Sequence, residues 1–390
     1  MKPDSKYISL WTLIVLLIQS GCIEQYFPDE EELQTGTLVF VAHLCDKPGE
    51  QSIQLSRTST IRYPEFDPLS GCYVEIISSD QESREFQESE PGYYSCFLDE
   101  QFLETGKQFS LVVITPEGER YESEYEQLHP AVKINALYWE REQHATSELG
   151  EVLDGVQFCM DFEVKKEACT YLKWELEETY QIHNPEYTAF VFGKDRIFRE
   201  LPDSSSWRTC WITLGIPEFY TMDLEFVEGT NFRQMPLNYV SSETRRLHIR
   251  YSLLVRQYSL SESSFRYWDE LRKNLQSTGN LFDKQPALTP SNICNVNNKE
   301  EVVLGYFSIS GVSELRAFVD EIKEMRLRED PAYCYPGDYP PGLPYFPDAY
   351  LPVYLSRVFV EGAEYRGEVN DYCVDCRAYK GSTHIKPDFW

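Results

Sequence analysis

Apolar and polar positions alternate with a period of two along most of the chain, a pattern that predicts strands. Thr37–His43, Ser52–Ser56, Cys72–Ile77, Tyr93–Phe97 and Gln108–Ile114 are branched, aromatic or alternating, and an edge strand follows around Tyr121. Lys47-Pro-Gly49, Pro91-Gly92 and Pro116-Glu-Gly118 separate them as turns. Short strands so punctuated predict an immunoglobulin-like β-sandwich over residues 36–130. His129-Pro130 marks the boundary, because proline biases the residue before it away from helix.

Residues 131–390 read as a larger β-rich domain with one or two helices, so the fold class is mainly β. Val156–Val164 alternates, and Thr170–Leu176 sets Tyr171, Lys173 and Glu175 on one face against Leu172, Trp174 and Leu176 on the other. In Arg245–Gln257 the residues Leu247, Ile249, Tyr251, Leu253 and Val255 share a face. Phe265, Trp268, Leu271 and Leu275 recur at helical spacing, and Ser259-x-x-Glu262 before them fits a capping box, so a helix is expected over Ser259–Gln276 with its stripe on the sheet. Val302–Ser308 reads as a strand, and Ser313–Met325 is open between helix and strand.

One apolar run breaks the pattern. Ile8–Ile18 follows Lys2 and Lys6, falls short of the ~20 residues that span a bilayer, and ends in Ser20-Gly21-Cys22. This predicts a signal peptide over 1–21 and a lipid-modified Cys22, with Gln19 departing from the leucine favoured at that place. Residues 22–35, dense in acid at Asp29-Glu-Glu-Glu32, then form a solvated tether. The expected location is the outer membrane, held by lipid and facing the exterior.

Charge and chemistry narrow the reading. The chain carries a net charge of −28, which repels nucleic acid and excludes it as a main partner. With Cys22 assigned to lipid, ten cysteines are left as disulfide candidates: Cys45, Cys72, Cys96, Cys159, Cys169, Cys210, Cys294, Cys334, Cys373 and Cys376. Cys373-Val-Asp-Cys376 also fits a redox dithiol, or a zinc site with Cys334 and His384, although an oxidising compartment favours disulfides. The sequence has no nucleophile elbow, His-Glu-x-x-His helix, phosphate loop, dinucleotide fingerprint or calcium-loop spacing. No enzyme and no cofactor are expected. Over 330–352 the prolines are too dense for helix or central strand, and Tyr333, Tyr335, Tyr339, Tyr345 and Tyr350 stud the predicted loop. These tyrosines form a candidate contact surface, or a loop packed back on its own domain.

Three stretches carry a resemblance: Pro290-Ser-Asn-Ile-Cys-Asn295 with Val303-Leu-Gly-Tyr-Phe-Ser308, Cys373-Val-Asp-Cys-Arg377 with Gly381-Ser-Thr383, and Lys386-Pro-Asp-Phe-Trp390. Together they resemble a Bacteroidota outer-membrane lipoprotein family of unknown function, encoded beside TonB-dependent receptors. Cys294 and the length of the Tyr/Pro segment depart from it. Gly71…Val74, Pro91-Gly-Tyr93 and Phe109–Val113 likewise resemble carboxypeptidase-regulatory-like sandwiches. The lipoprotein resemblance implies a non-enzymatic surface protein associating with a TonB-dependent receptor or another barrel, in substrate capture or uptake. The alternative it leaves is an accessory subunit of a larger outer-membrane assembly or secretion complex.

Overall fold

The computed structural model describes residues 36–60, 65–145, 152–165, 169–184, 189–200, 208–276, 289–320, 322, 325, 337–360 and 363–390. The signal segment, Cys22 and the acidic tether lie outside them. The fold is mainly β. The first part contributes β1 (Leu38–Cys45), β2 (Gly49–Arg57), β3 (Asp67–Pro68), β4 (Tyr73–Ser78), β5 (Ser83–Glu90), β6 (Tyr93–Leu98), β7 (Gln108–Ile114), β8 (Arg120–Ser123) and β9 (Glu126–Gln127). β5 was not legible as a strand, because only Phe86 among its residues is buried. It turns the corner of the sandwich: its first half pairs with β4 and its second half with β6. The two layers so formed enclose one core, with Phe40, Leu55 and Tyr94 facing Val74, Ile76, Leu111 and Val113. Burial of each large apolar side chain contributes about 1.5–3 kcal/mol.

Next come β10 (Ile134–Ala145), β11 (Val152–Glu163), β12 (Tyr171–His183), β13 (Ala189–Phe192), β14 (Phe198–Glu200), β15 (Thr209–Asp223), β16 (Asn231–Ser241) and β17 (Tyr251–Leu260). Then follow α1 (Glu262–Gln276), β18 (Ile293–Asn295), β19 (Leu304–Val319), β20 (Val353–Val360), β21 (Ala363–Val369), α2 (Asp371–Val374) and β22 (Ser382–Thr383). A second core lies between the β10-β11-β16 sheet and the run of β12, β17 and β19. Phe158, Met160 and Phe162 of β11 meet Leu172, Trp174 and Leu176 of β12 there. A four-stranded sheet, β14-β13-β20-β21, has a small core of its own around Phe190, Phe192 and Leu355.

The two sandwiches are joined through one strand. β19 pairs in parallel with β1 from Leu304 to Ser310, and antiparallel with β17 from Gly311 to Val319. A single hydrogen-bonded sheet therefore runs across the boundary at residue 130. The strand read at Val302–Ser308 and the ambiguous stretch after Ser313 are parts of this same element, and the Ser313–Met325 ambiguity resolves to strand through Val319. Two glycines permit the crossing. Gly305 has φ +88°, and a Cβ there would fall on the Phe40 carbonyl of the neighbouring strand. A Cβ at Gly311 would collide with the backbone of His129 and Ala131, where the chain passes between the sandwiches.

Two expected boundaries shift. The strand read from Arg245 begins at Tyr251, because Arg245–Leu247 forms a 3₁₀ turn. The helix starts at Glu262, since β17 holds Ser259 and Leu260 in the ladder. Ser261, not Ser259, is the cap: its Oγ accepts the Ser264 N–H at 3.1 Å.

Gly305→Ala is expected to lower stability by about 3 kcal/mol or more, through the positive φ and the collision with β1. Urea unfolding of the purified protein measures it; a loss below ~1 kcal/mol would show that the β1–β19 junction is not tight.

Candidate functional site

The alternation in β12 places Lys173 and Glu175 on the sheet face opposite the second core, beneath α1. Lys173 is only 2% exposed, and its Nζ sits 3.4 Å from the Trp268 ring centroid and 4.6 Å from that of Tyr258. It donates to Glu175 Oε1 at 2.7 Å, and Tyr258 donates to Glu175 Oε2 at 2.9 Å. Trp268 also packs on His43 of β1, with ring centroids 4.8 Å apart, and His43 Nδ1 lies 3.0 Å from Ser308 Oγ of β19. Burial, and then the Lys173 charge, push the His43 imidazole down to about 3. Burial lowers Lys173, with Glu175 opposing. Burial would raise Glu175, but Lys173, Tyr258 and His43 bring it below its usual range. The helix thus docks through a cation–π contact on a paired, buried lysine.

A second buried polar group ties the start of α1 to the first sandwich. Glu126 is 1% exposed and accepts from Ser261 Oγ, from Ser263 Oγ at 2.8 Å, from Tyr306 OH at 2.7 Å and from Asn292 Nδ2 at 3.4 Å. Burial pushes its carboxyl up, and the four donors oppose that. Asn292 also exchanges two 2.9 Å bonds with the Phe307 backbone of β19. Asn295 donates to Glu301 at 2.7 Å and to Glu119 at 3.1 Å. The Pro290–Asn295 motif is therefore a structural seam. The roles of Glu126, Lys173 and His43 escaped the sequence, because all their partners except Glu175 lie tens to hundreds of residues away.

The candidate contact surface is partly described. Tyr333, Tyr335 and Cys334 lie outside the described residues. Tyr345 is 89% exposed, Tyr350 70% and Tyr339 45%. Short 3₁₀ turns at Leu343–Tyr345 and Asp348–Tyr350 carry the first two, and buried Leu343 and Leu351 anchor those turns. Arg196 binds the Phe346 carbonyl and the Asp348 carboxylate, pinning the segment to the β13–β14 hairpin. Tyr339 lines a cleft with Asp338, Pro340, Pro341, Glu368 and Asn370. Large amphipathic rings on anchored turns are suited to protein contact.

The cysteine expectation is corrected in part. Cys210 bonds to Cys376, and Cys373 is also disulfide-bonded. Their thiolates are consumed, so neither the redox dithiol nor the zinc reading fits. Cys45, Cys72, Cys96, Cys159, Cys169 and Cys294 are free thiols. The physical reason is register: Cys45 faces Ser310, Cys96 faces Gln51, Cys159 faces Tyr138 and Pro236, and Cys294 faces Glu122. Cys72 and Cys169 precede their strands; Cys72 N–H donates to Tyr94 OH, and Cys169 Sγ to the Tyr171 carbonyl. Among the described residues no three His, Cys, Asp or Glu side chains are grouped to hold a metal ion.

The family described as "Domain of unknown function (DUF4249)" has a profile that matches residues 23–316. No curated protein matches the chain significantly. Among solved structures, a DUF4785 family protein from Legionella pneumophila is 10% identical, over 56% of this chain and 51% of that one, with a TM-score of 0.18. The adhesin InvE of Yersinia pseudotuberculosis is 11% identical, over 58% and 55%, with a TM-score of 0.16. The match spans about half the length of each, and at these scores neither likeness bears on function.

His43 is held neutral in the fold and ionises near 6.5 when unfolded, so the unfolded state binds more protons below that pH. Its contribution is intact above pH 6.5 and declines as the pH falls toward 3, by at most about 1.4 kcal/mol per pH unit. His43→Gln is expected to be less stable than wild type at pH 7, with the gap narrowing at pH 5. Urea midpoints of both proteins across that range check it; a constant gap would refute the assignment.

Proposed function

Since the chain belongs to the DUF4249 family of domains of unknown function, we propose that it works by contact and not by catalysis. In this reading it is a lipid-anchored outer-membrane protein of a Bacteroidota cell surface, held through Cys22 beside a TonB-dependent receptor, and it takes part in substrate capture or uptake. The observation that carries the reading is the tyrosine surface. Tyr345 and Tyr350 stay 89% and 70% exposed although the turns beneath them are anchored by buried leucines and by Arg196. Because the turns that carry these rings are already anchored, little backbone entropy is lost on binding, which suits hot spots of a protein interface. The apolar run ahead of Cys22 supports the location, because two or more acyl chains give stable anchoring.

Affinity purification from mild detergent tests the association. The wild type is expected to recover one receptor barrel, and Tyr345→Ser with Tyr350→Ser to reduce that recovery about tenfold. A many-subunit assembly in its place would favour the accessory-subunit reading, and recovery of neither would overturn both. Cys22→Ser is expected to give an unlipidated protein, seen by loss of fatty-acid label. External protease should digest the wild type on intact cells; full protection would overturn surface exposure.

A further inference from the structure

The segment from Cys376 to Trp390 forms an arch fixed at both ends. Cys376 is bonded to Cys210 of β15, and Ser382–Thr383 pairs with Trp211 and Ile212 of the same strand. Ser382 Oγ donates to the carbonyls of Cys376 and Tyr379 at 2.8 and 2.7 Å, and Arg245 lies 4.1 Å over the Tyr379 ring. At the other end Arg316 lies 3.5 Å over Phe389, while Trp390 meets Phe318 edge-on at 5.9 Å.

Between these anchors the tip points outward. Lys380, His384, Ile385 and Lys386 are all exposed, Ile385 to 68%. Leu214 of β15 is 44% exposed and lies 3.9 Å from where a Cβ on Gly381 would sit. Lys380 and Lys386 form no ion pair among the described residues; Arg377 is paired with Asp375. From Arg377 onward the only acid is Asp388, in a chain of 64 acids and 36 bases. The exposed tip, fastened at both ends, therefore presents a cationic island of Lys380 and Lys386 together with exposed Ile385 and Leu214, on a chain that is acidic overall.

We propose that this arch docks an acidic segment of a partner protein. Its lysines match carboxylates, and Ile385 with Leu214 matches an apolar group between them, a pairing that sets orientation and encounter rate. Phe318 lies fourteen residues along β19 from Leu304, which is paired with Val39 at the start of β1. At the rise of a strand this is roughly 45 Å. The arch thus sits at the far end of β19 from residue 36, the described residue nearest Cys22 in sequence. Protein is chosen over lipid because a chain of net charge −28 is repelled by anionic headgroups.

The purified full-length chain with Cys22→Ser is titrated against a fluorescent peptide of alternating Glu and Leu, at low and high salt. The wild type is expected to bind, with affinity falling at higher salt. Lys380→Glu with Lys386→Glu should weaken it about tenfold, and Ile385→Ser several-fold. Lys299→Glu, on a distant exposed lysine, should bind as wild type does. Circular dichroism confirms that each variant folds. No binding by the wild type overturns the proposal. So does equal weakening by Lys299→Glu, or tighter binding to phosphatidylglycerol vesicles than to the peptide. Failure here leaves the tyrosine-surface reading standing, because that is read by receptor recovery.

Discussion

The pairing of β19 with β1 on one stretch and with β17 on the next holds the molecule together. A strand of sixteen residues has to find two partners in opposite senses, one parallel and one antiparallel. Parallel pairing needs a long connection, and here more than 250 residues separate β1 from β19. The sandwich of residues 36–130 is therefore not closed by its own strands. Its first strand is covered only when β19 arrives, and the same strand then carries the second core through Ala317 and Val319.

Buried polar groups secure that join where apolar packing alone would let layers slide. Glu126 collects four neutral donors from α1, β19 and the stretch before β18, while Lys173 is paired with Glu175 and covered by Trp268. Each group costs desolvation energy that its partners only repay in one geometry. Helix α1 is the common member, gripped at its first turn by Glu126 through Ser261 and Ser263 and in its middle by Lys173 through Trp268. The outer faces of the two sandwiches are bridged by this helix as well as by the continuous sheet.

The proposed functional features lie outside these cores. The tyrosine turns rest on the small four-stranded sheet, and the cationic arch is fastened to β15 and β19 by a disulfide, a short ladder and ring contacts. Both are short segments whose inner residues are buried and whose tips are exposed. That division separates holding from touching, and it suits a protein that acts by being placed against others.

The sequence by itself determined most of the longer strands of the first sandwich, the apolar stripe of α1 and the opposed faces of β12, because alternation and helical spacing are local properties. It also marked 330–352 as unable to form helix or central strand, since proline removes the needed donor. It could not show β5, whose outward residues are polar on both faces, nor that two separately read stretches form one β19. Cysteine pairing was equally out of reach: Cys210 and Cys376 are brought face to face across 166 residues and Cys373 is bonded as well, while register sets Cys45, Cys96, Cys159 and Cys294 against non-cysteine neighbours. Lys173 on a strand reads as a solvated charge until α1, eighty-nine residues on from it, closes over it with Trp268. Local pattern fixes which face of an element is apolar; only the tertiary structure decides what lies against the other face, because the partners are distant in sequence and meet only when the sheets assemble.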